Sequence, residues 1–301
     1  METASRFEGI LPAVVTPFDT EKKFCAPAFE ALLEALFATG VHGVYVCGHT
    51  GEGLLQPVEQ RKRVAEVAAR CAPRGKQVIV HVGAPRVEDA IELARDAYRA
   101  GAHAVSSLPP GGASLEQIRN YYRSLAEGSE LPLIVYYFPE ICPAISGAEV
   151  LHELLGIPNV IGLKFTDFNL FQLAMLRRSG AIVFNGRDEV LVAGLLMGAS
   201  GGIGSFYNLV PELFLQVWEL SRRHCWEEAR AVQGRINELI EITLRFPIFP
   251  AIKKILSWSG LNCGECLPPH RSLTKQAEAD LHRLLSQSSL GTSEFAGLRV
   301  G

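Results

Sequence analysis

Residues 159–168 read NVIGLKFTDF. Every position between Asn159 and Lys164 is apolar or glycine, and an aromatic residue follows the lysine. A continuous apolar run of strand length is how a strand buried on both faces reads, and such strands belong to parallel sheets. This run ends on a lysine. Burying an ammonium without a partner is costly, and the usual response is a lowered pKa. A lysine that is neutral near pH 7 attacks carbonyl carbon. The alternative is a strand-end lysine with its head in water or paired to an acid. The stretch alone leaves both open.

Similar short runs recur on either side of it. They are ILPAVV (10–15), GVYVC (43–47), QVIVHV (77–82), AVSSL (104–108), PLIVYY (132–137), VIGLK (160–164), AIVFN (181–185) and GGIGS (201–205). Longer segments with helical periodicity lie between them. PVEQRKRVAEVAARC (57–71) opens on proline and RVEDAIELARDAYRAG (86–101) closes on glycine, as helices do. Eight β–α units in one chain predict an α/β fold, a parallel (β/α)8 TIM barrel. A doubly wound open sheet is the competitor. It would want GxxxxGK[ST] or a well-placed GxGxxG, and neither is found. After residue 208 the alternation stops. Helices are expected over 208–223, 226–245, 249–258 and 272–286. The first completes the eighth unit. The barrel is therefore assigned to 1–223, a C-terminal helical extension to 224–286, and a small, polar, disordered tail to 287–301.

Bulk composition excludes several function classes. The chain has 301 residues, 48% of them hydrophobic and 20% charged, which is ordinary globular composition. A net charge of −3 gives no footprint for nucleic acid. No apolar run reaches the roughly 18 residues of a membrane span. The start, METASRFEGILPAVV, lacks the basic-then-apolar pattern of a targeting signal. The seven cysteines are read as reduced thiols of a cytoplasmic protein. CGEC (263–266) has no second CxxC and does not open a helix after an early strand. It is read as a turn, with no metal site.

In a (β/α)8 barrel, chemistry sits at the C-terminal ends of the strands. This sequence places there Thr16, the loop GHTGEG (48–53), His81, Tyr136 and Tyr137, Lys164 and Thr166, GRDE (186–189), and Ser205. The glycine-rich loop presents backbone N–H groups and the Thr50 hydroxyl to an anion, or else it is a tight turn before a helix. Its acid, Glu52, is read as structural. Tyr136 and Lys164 fall on adjacent strands, so a tyrosine hydroxyl and an amine can meet in the mouth and pass protons. A plain core role for the tyrosine is the alternative.

The stretches GILPAVVTPF, GHTGEGLLQPVEQRKRV, PLIVYYFP, NVIGLKFTD, FNGRDE and GLLMGASGGIGSFYNLVP occur in order over roughly residues 8–212. Together they resemble the dihydrodipicolinate synthase and N-acetylneuraminate lyase family of pyruvate-dependent class I aldolases. The resemblance implies a Schiff base between Lys164 and the ketone of pyruvate or another 2-keto acid, with Tyr136 as proton donor and acceptor. It implies that Gly48, His49, Thr50 and Gly51 form the loop that holds the keto-acid carboxylate. Thr166, Gly186, Asp188, Glu189 and Ser205 match the lyase branch's grip on a polyhydroxylated chain. No metal or organic cofactor is implied, since the imine on Lys164 is the electron sink. A homotetramer, a dimer of dimers, is implied as well.

Several positions depart from the family pattern. The synthase branch has an arginine two residues after the proline, where this chain has Ile141; this speaks against dihydrodipicolinate synthesis. His49 replaces the usual Ser or Thr and is assigned either to the carboxylate or to the proton relay. The relay tyrosine expected after the fourth strand is absent from PPGGAS (109–114). Arg187 is expected to pair with Asp188 or Glu189, or to read a second carboxylate on the substrate. The loop after Pro139 looks long. The expected activity is a carbon–carbon lyase most like N-acetylneuraminate lyase. The alternatives are dihydrodipicolinate synthase, another 2-keto-3-deoxy sugar-acid aldolase, and a non-catalytic keto-acid-binding protein on the same barrel.

Overall fold

The computed structural model describes residues 7–290. Eight strands form one parallel sheet: β1 Gly9–Pro12, β2 Gly43–Val46, β3 Gln77–His81, β4 Ala104–Ser107, β5 Leu133–Tyr137, β6 Val160–Phe165, β7 Ile182–Asn185 and β8 Gly201–Gly204. Their order is β1-β8-β7-β6-β5-β4-β3-β2. The ring closes where Val14 N donates to Tyr45 O at 2.9 Å, beside a parallel bridge between Ala13 and Tyr45. The predicted TIM barrel is the fold, and each strand lies where an apolar run was read.

The first six outer helices are α1 (Ala26–Ala38), α2 (Val58–Cys71), α3 (Val87–Ala100), α4 (Leu115–Gly128), α5 (Ala148–Leu155) and α6 (Leu170–Arg178), and they follow local signals. Helix α4 (Leu115–Gly128) starts on a capping box in which Ser114 and Gln117 satisfy each other's backbone N–H. Helix α3 (Val87–Ala100) stops at Gly101, whose φ of 92° ends the helix in the left-handed conformation. The helix of the seventh unit is short. It is a 3-10 turn at Asp188–Val190 followed by α7 (Leu191–Leu196), stopped by Gly198 at φ 91°.

Period-two alternation sorts the strand residues into two apolar layers. Val44, Val46, Val135, Tyr137, Leu163 and Phe165 pack outward against the helices. Leu11, Tyr45, Ile79, Ile134, Phe184 and Ile203 fill the barrel interior. Burying each large side chain is worth about 1.5–3 kcal/mol, so register on β6 is strongly held by Leu163 and Phe165. That register turns Lys164, between them, into the barrel.

Helix α8 (Pro211–Arg222) packs back on β1, and α9 (Trp226–Thr243) runs along α8. Helices α10 (Ile248–Trp258) and α11 (Lys275–Ser286) follow. Thr274 caps α11, its hydroxyl accepting from Ala277 N at 3.1 Å, so that helix begins after the expected residue 272. Of the tail assigned to 287–301, Leu290 is buried and Ser289 N bonds the Glu238 carboxylate, while 291–301 lies outside the described residues. Among the described residues no helix is long and apolar enough to cross a membrane.

Candidate active site

A cavity of about 390 Å³ opens at the C-terminal ends of the strands. Lys164, Tyr136, Thr166, Gly186, Arg187, Asp188, Glu189, Ser205, His49 and Thr50 all line it. Lys164 is 4% exposed and sits across the β5–β6 ladder from Tyr136, as the sequence predicted. Its Nζ lies 4.1 Å from the Tyr136 ring centroid and 4.4 Å from that of Tyr45. No ion pair reaches it among the described residues. Burial lowers its pKa to about 7, against an opposing pull from Asp188. Aromatic faces favour the ammonium, and desolvation opposes it. The amine is therefore substantially neutral at physiological pH.

Asp188 is buried as well. Burial raises its pKa to about 7, while Phe206 N, donating to Oδ2 at 2.8 Å, pulls the other way. Lys164 and Asp188 titrate in one range and interact, so the pair has shared macroscopic steps. Asp188 packs on Gly204, where an added Cβ would lie 1.8 Å from Oδ1. Glycine at the end of β8 is the space that carboxyl occupies. Tyr136 is 3% exposed, and burial keeps its hydroxyl protonated, well above the usual phenol range. The Thr166 hydroxyl pulls it the other way but forms no completed hydrogen bond and stays buried without a partner. Gly186 leaves room for that hydroxyl, since a Cβ there would meet Thr166 Oγ1 at 2.2 Å. Glu189 also reaches the cavity, and its carbonyl accepts from Asn237 Nδ2 at 3.0 Å.

The 48–53 loop divides into two roles. Thr50 faces the cavity and its hydroxyl bonds that of Ser205 at 2.6 Å, joining the β2 loop to the end of β8. The amides of Thr50 and Gly51 donate to no protein acceptor among the described residues. Gly48 and Gly51 were assigned to the substrate, but neither lines the cavity. Gly48 lies against Tyr45, and the Gly51 carbonyl accepts from Thr16 Oγ1 and Gln56 Nε2, each at 2.7 Å. Gly48 packs on the ring that also covers Lys164 Nζ, and Gly51 is tied through its carbonyl, so both take part through backbone. Thr16 thus serves the loop, not the cavity.

Arg187 does not pair with Asp188 or Glu189, as had been expected. Its guanidinium pairs with Glu140 and lies 4.5 Å from the Phe168 ring centroid and 5.4 Å from that of Phe138. The long loop after β5 supplies both Glu140 and Phe138, which is why local sequence pointed to the wrong acid. His49 leans edge-on against Phe249 at 5.1 Å. Burial, and after it the charges of Lys164 and His270, lower its pKa from the ordinary imidazole value. Ile141, where the synthase branch has its arginine, is 44% exposed and outside the cavity.

Sequence reasoning missed Tyr45 as a neighbour of the lysine, because an aromatic between Val44 and Val46 reads as core. It also missed the walls from beyond the barrel: Ile240, Leu244, Ile248, Phe249 and His270 line the same cavity. The alternation of Tyr45 with its outward valines was a usable signal; nothing local marked the others. Cys263 and Cys266 are buried free thiols. Among the described residues no group of three or more His, Cys, Asp or Glu is placed to hold a metal ion.

The sequence model of the dihydrodipicolinate synthetase family matches residues 6–288. The chain is 37% identical over 283 residues to an N-acetylneuraminate lyase of Rhizobium meliloti (strain 1021), covering 93% of each. It is 32% identical over 260 residues to an N-acetylneuraminate lyase of Citrobacter koseri, covering 85% of this chain and 88% of that one. The wild-type sialic acid aldolase of Ruminococcus gnavus superposes with a TM-score of 0.90 at 27% identity, over 97% of this chain and 98% of that one.

Proposed function

Because the chain belongs to the dihydrodipicolinate synthetase family, we propose that its chemistry runs through an imine on Lys164. The protein is a class I aldolase, a carbon–carbon lyase most like N-acetylneuraminate lyase. The observation that carries the mechanism is an amine buried between two tyrosine rings, with its pKa lowered to about 7.

The neutral amine adds to C2 of a 2-keto acid. Tyr136, held protonated by burial, gives a proton to the departing oxygen, and water leaves as the imine forms. The iminium draws the C3–C4 electron pair as the bond breaks. The C4 hydroxyl gives its proton to the Tyr136 phenolate left by the first transfer, and the aldehyde half departs. Protonation of the enamine at C3 and hydrolysis then return pyruvate and free Lys164. The imine is the electron sink, so this chemistry requires no metal or organic cofactor.

The substrate's carboxylate is assigned to Thr50 and the free amides of the 48–51 loop, as a nest of N–H groups suits an anion. The hydroxyl-bearing chain is assigned to Thr166, Glu189 and Ser205, with Asp188 at its base. Thr166 supports this with a buried hydroxyl that awaits a partner. The free state of all seven cysteines supports a reducing compartment, taken here as the cytoplasm. The homotetramer carried by the family resemblance is read by light scattering.

Borohydride reduction in the presence of pyruvate, followed by peptide mass mapping, tests the mechanism. A reduced pyruvyl adduct on Lys164 is expected. Absence of any adduct, or an adduct elsewhere, removes Lys164 from the reaction and moves the keto-acid-binding reading forward. Pyruvate release from N-acetylneuraminate, measured beside other 2-keto-3-deoxy acids, then ranks the substrates.

A further inference from the structure

Glu52 closes the 48–53 loop, and it is one of the most enclosed acids in the chain. Its side chain is fully buried and sits 2.8 Å from Lys253 Nζ, which is 2% exposed. Its other oxygen accepts from Leu267 N at 2.6 Å. The lysine also donates to Glu265 O at 3.3 Å and lies 4.3 Å from the Phe18 ring centroid. One carboxylate thus holds two points of the C-terminal extension, on α10 and on the segment before α11.

The backbone of Glu52 has φ 56°, a left-handed conformation that a side chain other than glycine adopts at a cost. A glycine would relieve that strain, yet an acid is there. The acid is also rigidly joined to the residues that face the cavity. Glu52 N donates to His49 O and Gly53 N to Gly48 O, both at 3.0 Å. Thr50 lies inside that turn, with its hydroxyl on Ser205.

Helix α10 touches the loop twice. Phe249 meets His49 at the cavity wall, and Lys253, one turn later on the same helix face, meets Glu52 behind the loop. A buried ion pair is poor glue compared with apolar packing of the same volume. What it supplies is placement, since a carboxylate held by one backbone N–H on Oε2 and by the Lys253 ammonium 2.8 Å from Oε1 fixes where the loop stands. We propose that the Lys253–Glu52 pair is a positioning device through which α10 holds the 48–53 loop at the distance and angle that the keto-acid carboxylate requires. This rests on the reading of that loop as the carboxylate site. Neither residue lines the active-site cavity, so both act through Thr50 and the loop amides.

The test is the double variant Glu52→Gln/Lys253→Met, which leaves neither charge buried. Half-saturating pyruvate in borohydride trapping is expected to rise about 10-fold or more, the usual worth of a hydrogen bond to a charged group. Trapping at saturation and kcat are expected to change less than about 3-fold, the signature of lost ground-state binding. Lys253→Arg, which keeps the pair, is expected to retain most of the parental affinity. A folded double variant with parental half-saturation, or one that loses kcat alone, overturns the proposal. If the double variant does not fold, Glu52→Asp shortens the tether with the charge kept and is judged by the same two readouts. Thr50→Val separates the underlying reading: it should weaken pyruvate binding by itself. If it does not, the loop is not the carboxylate site and the positioning role falls with it. If it does while the Glu52 and Lys253 variants bind normally, only the positioning role falls.

Discussion

Lys164 and Lys253 occupy matching surroundings at two different places in the molecule. They are 4% and 2% exposed, and each ammonium lies over an aromatic ring, at 4.1 Å from Tyr136 and 4.3 Å from Phe18. They differ in what else faces the nitrogen. Lys253 has the Glu52 carboxylate at 2.8 Å. Lys164 has no such partner, and the one acid that acts on it, Asp188, is itself pushed toward its neutral form. Burial alone therefore does not make a nucleophile. Burial without a paired acid does, because only then is losing the proton the cheaper way to leave water. At the mouth of the barrel the result is a reactive amine; at the seam with α10 it is a fixed contact.

Breaking the reactive half of this comparison should have the largest effect. Lys164→Ala is expected to abolish both pyruvyl trapping and lyase turnover while circular dichroism stays native; any wild-type-like turnover removes the imine mechanism. Tyr136→Phe should still form the imine, slowly, but lose about 10²–10⁴-fold in kcat, the usual worth of a general acid–base group. An unchanged kcat excludes it from proton transfer. Breaking the paired half should be felt in stability. Lys253→Met alone strands a buried carboxylate and is expected to lower unfolding free energy by about 3–5 kcal/mol in urea titration. A loss below about 1 kcal/mol would mean that water or rearrangement satisfies Glu52.

The smallest effect sharpens the electrostatics. The neutral amine reacts, so imine formation at fixed pyruvate should rise with pH through about 7 and then level. The Asp188 charge raises the Lys164 pKa, so Asp188→Asn should move that rise to lower pH. A midpoint that stays in place, or moves upward, would show that Asp188 does not act on the amine through its charge.

Much of this was legible along the chain. The run VIGLK announced a buried strand ending on a lysine, and its seven counterparts announced the barrel. Tyr136 was legible because adjacent strands in a right-handed β–α series pair, and the observed register sets it opposite Lys164. Gly48 and Gly51 carry no side chain, so the sequence does not tell which backbone groups of their loop face the cavity. The turn sets Gly48 against Tyr45 and ties the Gly51 carbonyl to Thr16. Arg187 was matched to acids next to it in sequence, whereas its partner Glu140 comes from a loop after another strand. Lys253, in the helical pattern AIKKIL, reads like any solvent-facing lysine.

The alternation of elements, the parallel barrel, the lysine at the end of β6 and the family could all be read along the chain. These rest on periodicity and short motifs, which are local. Tertiary structure alone decided that Lys164 is unpaired and Lys253 paired, that Tyr45 is the second ring over the amine, and that α10 closes the cavity. A charge state and an ion pair depend on which groups share a small volume without water. Those groups come from residues as far apart as Glu52 and Lys253, so no window of sequence contains them together.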